Sequence, residues 1–173
     1  MAMLKKGMAG EPVKRMQAKL GVAADGDFGP GTDKALRDYQ AANGLAVDGI
    51  AGPDTFVHMK LYELVLLMNG STGETVKKVQ AAVGTTADGA YGPATAKAVH
   101  AFQTSNGLIA DGVVGPDTLA KMGVFSEITA EVIQRAIAID DPTEPPPVTN
   151  ADFGTAPAPE RRSLWARVKG LFG

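Results

Sequence analysis

Apolar residues recur at helical spacing in several short stretches of this chain. Val13, Met16 and Leu20 are three and four positions apart, and Gly21 follows them directly. Such spacing places the three side chains on one face of a helix, and glycine is typical of the position just past a helix end. The same reasoning predicts six short helices before residue 125, whose apolar positions are, in chain order, Val13, Met16 and Leu20; Ala35, Leu36 and Tyr39; Phe56 and Met59; Val76, Val79 and Val83; Ala98, Val99 and Phe102; and Leu119 and Met122.

The chain contains an internal duplication. Residues 4–59 align with residues 67–122 without a gap, at a constant offset of 63, and roughly half of the aligned positions are identical. Each copy contains three of the six predicted helices. The sequence therefore predicts an all-α fold of two tandem three-helix domains with Gly-rich loops, the first over residues 1–62 and the second over residues 63–125.

A shorter motif, Asp-Gly-x-x-Gly-Pro-x-Thr, occurs four times and begins at Asp25, Asp48, Asp88 and Asp111. Asp-Gly is a turn signal, because glycine adopts positive φ without a steric penalty. Gly-Pro predicts a helix start, since the missing N–H of proline costs nothing at the first helical position. The threonine two residues after the proline falls in the first turn, where we expect its hydroxyl to satisfy free backbone groups of the helix.

Two further segments predict how the copies are arranged. Residues 61–67, between the copies, are largely apolar apart from Glu63, whereas a flexible linker would be polar and rich in Gly and Ser. We therefore expect them to pack the copies together. Residues 126–139 carry an apolar stripe at helical spacing and predict a further helix, capped by Ser126 or Thr129, that packs on the second copy.

The sequence after residue 139 changes character twice. Residues 140–159 are acidic and Pro-rich, which is typical of an extended, disordered linker. Residues 160–173 are basic and predict a short amphipathic helix for docking, whose apolar residues are Leu164, Trp165, Val168, Leu171 and Phe172. An anionic membrane surface and a groove on a partner protein are both suitable targets, and the alternative is that the segment folds back on the repeats.

Charge and composition narrow the classes of function. The chain has no cysteine, which excludes disulfides, thiolate metal sites and cysteine nucleophiles. Basic and acidic side chains balance over residues 1–124, so we expect no broad basic face and no nucleic-acid partner. No apolar segment is long enough for a signal peptide or a membrane span, and we therefore expect the protein to be made in the cytoplasm without a signal peptide.

No constellation of catalytic or metal-binding residues stands out. Glycosidic hydrolysis needs two carboxylates across a cleft, but closely spaced pairs such as Asp25 and Asp27 fall in turns. His58 and His100 occupy non-equivalent positions of the repeat, so we expect both on exposed helix faces and not at a metal. We predict a protein that is not an enzyme and has neither a metal nor another cofactor.

The motifs of each copy combine into one longer pattern. The second copy contributes Gly70, Gly73, Val76, Gln80, Asp88, Gly89, Tyr91, Gly92, Thr95, Ala98, Val99, Phe102, Gln103, Asn106, Gly107, Leu108, Asp111, Gly112, Gly115 and Thr118. This pattern resembles that of the peptidoglycan-binding domain type 1 family, and the first copy matches equally well, with Phe28 for Tyr91 and Tyr39 for Phe102. The resemblance covers about residues 4–122. It implies binding to the glycan-peptide mesh of bacterial walls, where two linked copies would bind more tightly than one.

The resemblance directs attention to polar groups near the loops that could hydrogen-bond the amides and carboxylates of a stem peptide. The candidate ligand-binding residues of this kind are Gln40, Asn43, Asp48, Gln103, Asn106 and Asp111. Phe28 and Tyr91 could offer an apolar wall to a sugar ring, or they could plug the helical bundle. Gln17 and Gln80 are expected to tie loops to helices.

Three functions are open at this point. The first is a non-catalytic accessory protein of a phage or phage-like system, which acts at the cell wall, in the virion or during lysis, and is tethered to a partner by its C-terminal tail. The second is a structural virion or assembly protein that reuses the fold without binding the wall. The third is a cell-wall lysin with an unrecognised catalytic region, because residues 126–139 also resemble the opening of the catalytic domain in some phage lysins.

Overall fold

The computed structural model describes residues 3–140, with side chains through residue 136. Each repeat consists of three α-helices, which are α1 (Glu11–Leu20), α2 (Pro30–Ala42) and α3 (Pro53–His58) in the first and α4 (Glu74–Ala82), α5 (Pro93–Ser105) and α6 (Pro116–Met122) in the second. A 3₁₀ turn (Tyr62–Leu64) lies between the repeats, and α7 (Ala130–Asp140) follows them. Over residues 3–140 there is no β-strand, and the predicted all-α fold of two tandem three-helix domains is confirmed.

The helices begin and end at the residues that the turn signals indicate. A proline stands in the first turn of four helices, directly after an extended N-cap glycine, at Pro30, Pro53, Pro93 and Pro116. Helix α1 is followed by Gly21, which takes the left-handed conformation with φ 70°. After α3 the same conformation falls on Lys60 (φ 58°), where the second repeat has Gly123 (φ 65°).

One hydrophobic core runs through both repeats. Residues 61–67 are all buried, and four of them belong to a hydrophobic cluster that includes Met16 and Leu36 of the first repeat and Val79 and Val99 of the second. These four are Leu61, Leu64, Val65 and Leu67. The prediction that residues 61–67 pack the copies together is confirmed. Because this segment contributes apolar side chains to both repeats, it fixes how the two are placed relative to each other.

Glu63 is the charged residue within this apolar segment. Its side chain is buried, and its Oε1 lies 3.4 Å from Nη1 of Arg15 on α1. Arg15 also pairs with Glu11 one helical turn earlier, at 3.5 Å. A buried carboxylate needs such a partner, because the desolvation of an unpaired charge is costly.

Short antiparallel bridges fasten the segment before the first helix of each repeat to the loop before its third helix. Leu4 exchanges two backbone hydrogen bonds with Ala51, at 2.9 and 2.8 Å, and Leu67 exchanges the equivalent pair with Val114, also at 2.9 and 2.8 Å. These bonds satisfy backbone groups that lie outside the helices. The long connections between helices are therefore held in place by hydrogen bonds.

Helix α7 begins later than predicted. Its first residue is Ala130, and the Thr129 carbonyl accepts the N–H of Ile133 at 3.2 Å. Ser126 lies outside the helix, so the prediction of a helix from residue 126 with Ser126 as its cap is wrong. Of the two proposed caps, only Thr129 stands next to the first helical residue. The packing of α7 against α6 confirms that it rests on the second repeat.

Contacts with the junction explain the later start. The Phe125 ring packs on the Tyr62 ring, with centroids 5.5 Å apart. Glu127 accepts a hydrogen bond from the Tyr62 hydroxyl and pairs with Lys60 at 2.6 Å. Residues 125–128 therefore turn across the boundary between the repeats before α7 can begin.

Most of the C-terminal region lies outside the described residues. This holds for the predicted docking segment, residues 160–173, and for the predicted linker, residues 140–159, apart from Asp140. Within the part of the chain that the structure describes, no helix is both long enough and apolar enough to cross a membrane.

Candidate functional site

A buried glutamine holds the first Asp-Gly loop to the preceding helix. Gln17 donates from Nε2 to Asp25 Oδ1 (2.7 Å), to the Asp27 carbonyl (3.0 Å) and to Thr32 Oγ1 (3.0 Å). Its Oε1 accepts the N–H of Gly26 at 2.8 Å. Asp25 Oδ1 also accepts the N–H of Asp27 at 2.8 Å and so closes the turn. One side chain thereby fixes both the loop and the start of the next helix.

The same frame occurs at each of the four motifs. The remaining glutamines, which also stand eight residues before their aspartates and make equivalent bonds to the loop, are Gln40, Gln80 and Gln103. The prediction that Gln17 and Gln80 tie loops to helices is confirmed. The prediction that Gln40 and Gln103 are surface groups is wrong, because both are 1% exposed and their amides are used inside the loops.

The threonine of the motif accepts a hydrogen bond from the glutamine and does not cap the helix. The hydroxyls of Thr32, Thr95 and Thr118 accept a hydrogen bond from the glutamine Nε2 at 3.0, 3.0 and 3.2 Å. No side chain caps the N-terminus of α2, α5 or α6. The expectation that these hydroxyls satisfy backbone groups of the first helical turn is therefore wrong.

Thr55 differs from its three counterparts. Gln40 Nε2 donates to Asp48 Oδ1 and to the Ile50 carbonyl, both at 3.0 Å, but it does not make the third contact, to the threonine hydroxyl, that the other three glutamines make. Thr55 is buried, and its hydroxyl has no hydrogen-bond partner among the described residues. It is the one motif threonine in residues 3–140 that its glutamine leaves unbonded.

Phe28 and Tyr91 plug the two repeats. Each is 2% exposed, so the plug interpretation is confirmed and the apolar wall for a sugar ring is wrong. The Tyr91 hydroxyl donates to the Gly112 carbonyl at 2.8 Å. Burial, together with the nearby charge of Asp111, raises the pKa of Tyr91 well above its usual value.

The other four candidate residues reach the surface. Asn43 and Asp48 are exposed, and Asn106 and Asp111 are half-buried. Each asparagine Nδ2 donates to the carbonyl four residues earlier in its helix, at 2.7 and 2.8 Å. Each aspartate holds its own loop with Oδ1. These four residues are placed where a ligand could contact them. One polar atom of each side chain is already used in the hydrogen bonds described above.

A cleft of about 520 Å³ opens between the two repeats. One wall consists of residues 44–50 and the start of α3, and the other consists of residues 70–74 at the beginning of the second repeat. Three acidic residues line the cleft, Asp48, Asp54 and Glu74, and no lysine, arginine or histidine of the described chain lines it. Its volume is within the range of small-molecule sites in proteins.

Asp54 joins the two walls of the cleft. Its Oδ1 accepts the N–H of Thr75 at 2.8 Å, and its Oδ2 accepts the N–H of Glu74 at 3.0 Å. These N–H groups belong to the first turn of α4 and have no acceptor within that helix. The approach requires glycine at position 73 (φ 122°), where a Cβ atom would lie 2.1 Å from Asp54 Oδ2.

Sequence reasoning missed Asp54, Thr55 and Glu74, although the aligned repeats contain a signal. Pro12 stands in α1 where Thr75 stands in α4. Proline has no N–H that needs an acceptor, and α1 has no side-chain cap. At Thr75 the N–H is present and the first repeat supplies the acceptor. A difference between otherwise similar copies thus marks the face at which they meet.

The two histidines lie where the spacing predicted. His58 and His100 are exposed, and His58 Nδ1 is 2.7 Å from the Tyr39 hydroxyl. In the described residues, no group of three or more histidine, aspartate and glutamate side chains is arranged to hold a metal ion.

Comparison with known families identifies the repeats. The family described as "Putative peptidoglycan binding domain" matches residues 10–59 and residues 72–122, which together make up more than half of the chain. The chain belongs to this family. Comparisons with curated proteins and with solved structures gave no match. The cleft is therefore formed where the last loop of one peptidoglycan-binding domain meets the first residues of the next.

Proposed function

We propose that this protein is a non-catalytic accessory protein that attaches to the bacterial cell wall through its two peptidoglycan-binding domains. The observation that carries the proposal is the family match of both repeats, over residues 10–59 and 72–122. Two linked copies suit a polymer in which the same unit recurs, because the second contact forms at a high effective concentration.

We assign wall contact to the equivalent loops 43–48 and 106–111. The described residues contain three large hydrophobic side chains that are exposed, and two of them, Val47 and Ile109, lie in these loops. In the first domain Val47 is followed directly by the exposed carboxylate of Asp48. Apolar groups beside a few polar groups suit the ring faces and amides of a glycan-peptide polymer.

Two of the turn aspartates, Asp25 and Asp88, are unsuited to act as a general acid. Backbone N–H groups of Asp27 and Ala90, and then the glutamine amides, lower the pKa of Asp25 and Asp88 below its usual value. A general acid in hydrolysis needs the opposite shift, towards the working pH. These carboxylates therefore suit the structural task of closing turns.

We place the protein in a phage or phage-like system and propose that its tail attaches it to a partner. The resemblance of residues 126–139 to the segment that follows such repeats in some phage lysins supports this setting. Residues 160–173 combine basic side chains with Trp165 and Phe172, a composition that suits an anionic membrane surface or a groove on a protein.

Sedimentation with insoluble dye-labelled sacculi tests the wall-binding proposal, with release of soluble dye measured in the same tube. We expect the full-length protein to sediment with the sacculi and to release no dye. Release of dye would identify a lysin and contradict the non-catalytic role. If the protein neither sediments with the sacculi nor releases dye, the result favours the structural virion or assembly protein that reuses the fold.

A loop variant with a matched control locates the contact. Val47→Ser combined with Ile109→Ser should reduce sedimentation, because it removes the exposed apolar groups of both loops. Met8→Ser changes the third exposed hydrophobic residue of the described chain, which lies outside these loops, and should leave sedimentation unchanged. Equal sedimentation of the two variants would contradict the assignment of the loops.

A further inference from the structure

The cleft between the two domains carries an excess of negative charge. Asp48, Asp54 and Glu74 line it without any basic residue from the described chain. Lys77 lies outside the lining and pairs with Glu74 at 2.6 Å, which offsets one of the three charges. A concave site lined by charges of one sign concentrates ligands of the opposite sign. The cleft therefore favours a cationic group.

Thr55 gives a second, independent indication of a ligand. The residue is 4% exposed and lines the cleft, and its hydroxyl has no hydrogen-bond partner among the described residues. Its counterparts Thr32, Thr95 and Thr118 are each bonded to a glutamine. The Thr55 hydroxyl therefore keeps both its donor and its acceptor capacity on the side of the cleft. A polar ligand in the cleft would supply the missing hydrogen bond.

On the basis of the proposed wall binding, we propose that this cleft binds the stem peptide of peptidoglycan through the free amine of a diamino acid that is not cross-linked. The ammonium group is held by the carboxylates of Asp48 and Glu74, and the Thr55 hydroxyl hydrogen-bonds the peptide backbone of the same stem. The cleft, about 520 Å³, has room for a short peptide segment. N-acetylated glycan strands bring no positive charge, so the charge of the cleft selects the peptide over the sugar.

This site exists only where the two domains meet. Asp48 and Thr55 belong to the first domain and Glu74 belongs to the second. Asp54 holds the walls together by accepting the N–H groups of Glu74 and Thr75. The tandem arrangement therefore creates a binding site in addition to the surface loops of each domain.

Sedimentation with two preparations of the same sacculi tests the inference. One preparation is untreated, and in the other the free amines are acetylated. We expect the full-length protein to bind the acetylated sacculi about tenfold more weakly. Equal binding to both would overturn the amine site and leave the proposed wall binding in place. Binding to neither would overturn the wall-binding proposal, and the amine site with it.

Charge variants locate the amine. Glu74→Gln removes a charge with little change of shape and should weaken binding to untreated sacculi about fivefold, with no effect on acetylated sacculi. Asp48→Asn should also weaken binding to untreated sacculi, but Asp48 belongs to a loop assigned to wall contact as well, so the comparison with acetylated sacculi is made with Glu74→Gln. Asp25→Asn and Glu11→Gln are the matched controls, because these residues occupy the same positions in motif units that do not line the cleft. If the cleft variants and the controls bind alike, the amine does not bind in the cleft.

The hydroxyl is tested separately. Thr55→Val should weaken binding to untreated sacculi while preserving the thermal unfolding midpoint, since no described residue loses a hydrogen bond. Thr32→Val removes an acceptor of Gln17, so it should lower the unfolding midpoint and leave binding unchanged. A Thr55→Val protein that binds like the unmodified protein would overturn the role of this hydroxyl.

Discussion

Asp54 of the first domain caps the first helix of the second, with its Oδ1 2.8 Å from the backbone nitrogen of Thr75. Residues of helix N-termini are usually capped by a neighbour in the chain, but here the acceptor comes from a residue 21 positions earlier. The contact links the stability of α4 to the placement of the two domains. It also holds the backbone of Glu74, which lines the cleft together with Asp48.

Removal of this cap should destabilise the protein. Asp54→Ala leaves two N–H groups of α4 without their acceptor, and we expect the free energy of unfolding to fall by about 1 kcal/mol. Urea denaturation followed by circular dichroism measures the change. In a Thr75→Pro background one of the two N–H groups is already missing, so the effect of Asp54→Ala should be smaller there. The same effect in both backgrounds would show that the bond from the Thr75 N–H to Asp54 does not contribute to stability.

Each buried glutamine should contribute more to the free energy of unfolding than an exposed residue does. Gln80→Ala removes the bonds to Asp88, Ala90 and Thr95 and leaves the Gly89 N–H unpaired. We expect a loss of about 3 kcal/mol in the free energy of unfolding, from several hydrogen bonds of about 1 kcal/mol each. Gln134→Ala, on an exposed position of α7, is the control and should change stability by less than about 0.5 kcal/mol. Similar losses for the two variants would mean that the loop is held by other contacts.

Local signals in the sequence predicted the helices well but assigned some polar residues to the wrong face. Helix ends such as Gly21 and starts such as Pro30 depend on backbone preferences of single residues, which the sequence displays directly. The prediction that Gln40 is a surface group rests on its place near a loop and on its capacity to hydrogen-bond a stem peptide. It stands four residues after the buried Leu36, so helical spacing places it on the core side. A search for helical spacing that considers only apolar residues misses a polar residue on the buried face.

The cleft and the start of α7 depend on contacts that the sequence of one repeat does not contain. The cleft walls come from both domains, and their spacing follows from the packing of residues 61–67 and the reach of Asp54. Helix α7 starts at Ala130 because Glu127 is used at the junction by Lys60 and the Tyr62 hydroxyl. Tertiary contacts of this kind override local helix preference.

The contact between Tyr62 and Glu127 should make stability depend on alkaline pH. Burial, and then the hydrogen bond to Glu127 and its charge, raise the pKa of Tyr62 to about 12. The usual tyrosine pKa is about 10. Because the pKa is higher in the folded state, the stabilisation is complete below about pH 10 and is lost as the pH rises to about 12.

Tyr62→Phe isolates this effect, since burial also raises the pKa of Tyr91 and Tyr39. We expect the urea midpoint of the unmodified protein to fall more steeply between about pH 10 and about pH 12 than that of Tyr62→Phe. Parallel curves for the two proteins would show that Tyr62 does not contribute.

The turn aspartates should make stability fall in acid. The N–H of Ala90, and then the Gln80 amide, lower the pKa of Asp88 below its usual value of 3.8. Because the pKa is lower in the folded state, the stabilisation is present above the unfolded value and is lost as the pH falls through the folded value. Asp88→Asn keeps an acceptor oxygen but does not titrate, so its unfolding midpoint should fall less between about pH 4 and about pH 2. Asp38→Asn, on the exposed face of α2, is the control and should follow the unmodified protein. A curve for Asp88→Asn that matches the control would contradict the role of the turn carboxylate.

The tail should act independently of wall binding. Trp165 and Phe172 lie outside the described residues, among basic side chains that would bring them to an anionic surface. We expect the full-length protein to float with anionic lipid vesicles, and we expect Trp165→Ala combined with Phe172→Ala to remove flotation while sedimentation with sacculi stays unchanged. Absence of flotation in the unmodified protein would direct the search to a protein groove as the partner. Loss of sedimentation in the variant would place the wall contact in the tail, and the two domains would then serve as its scaffold.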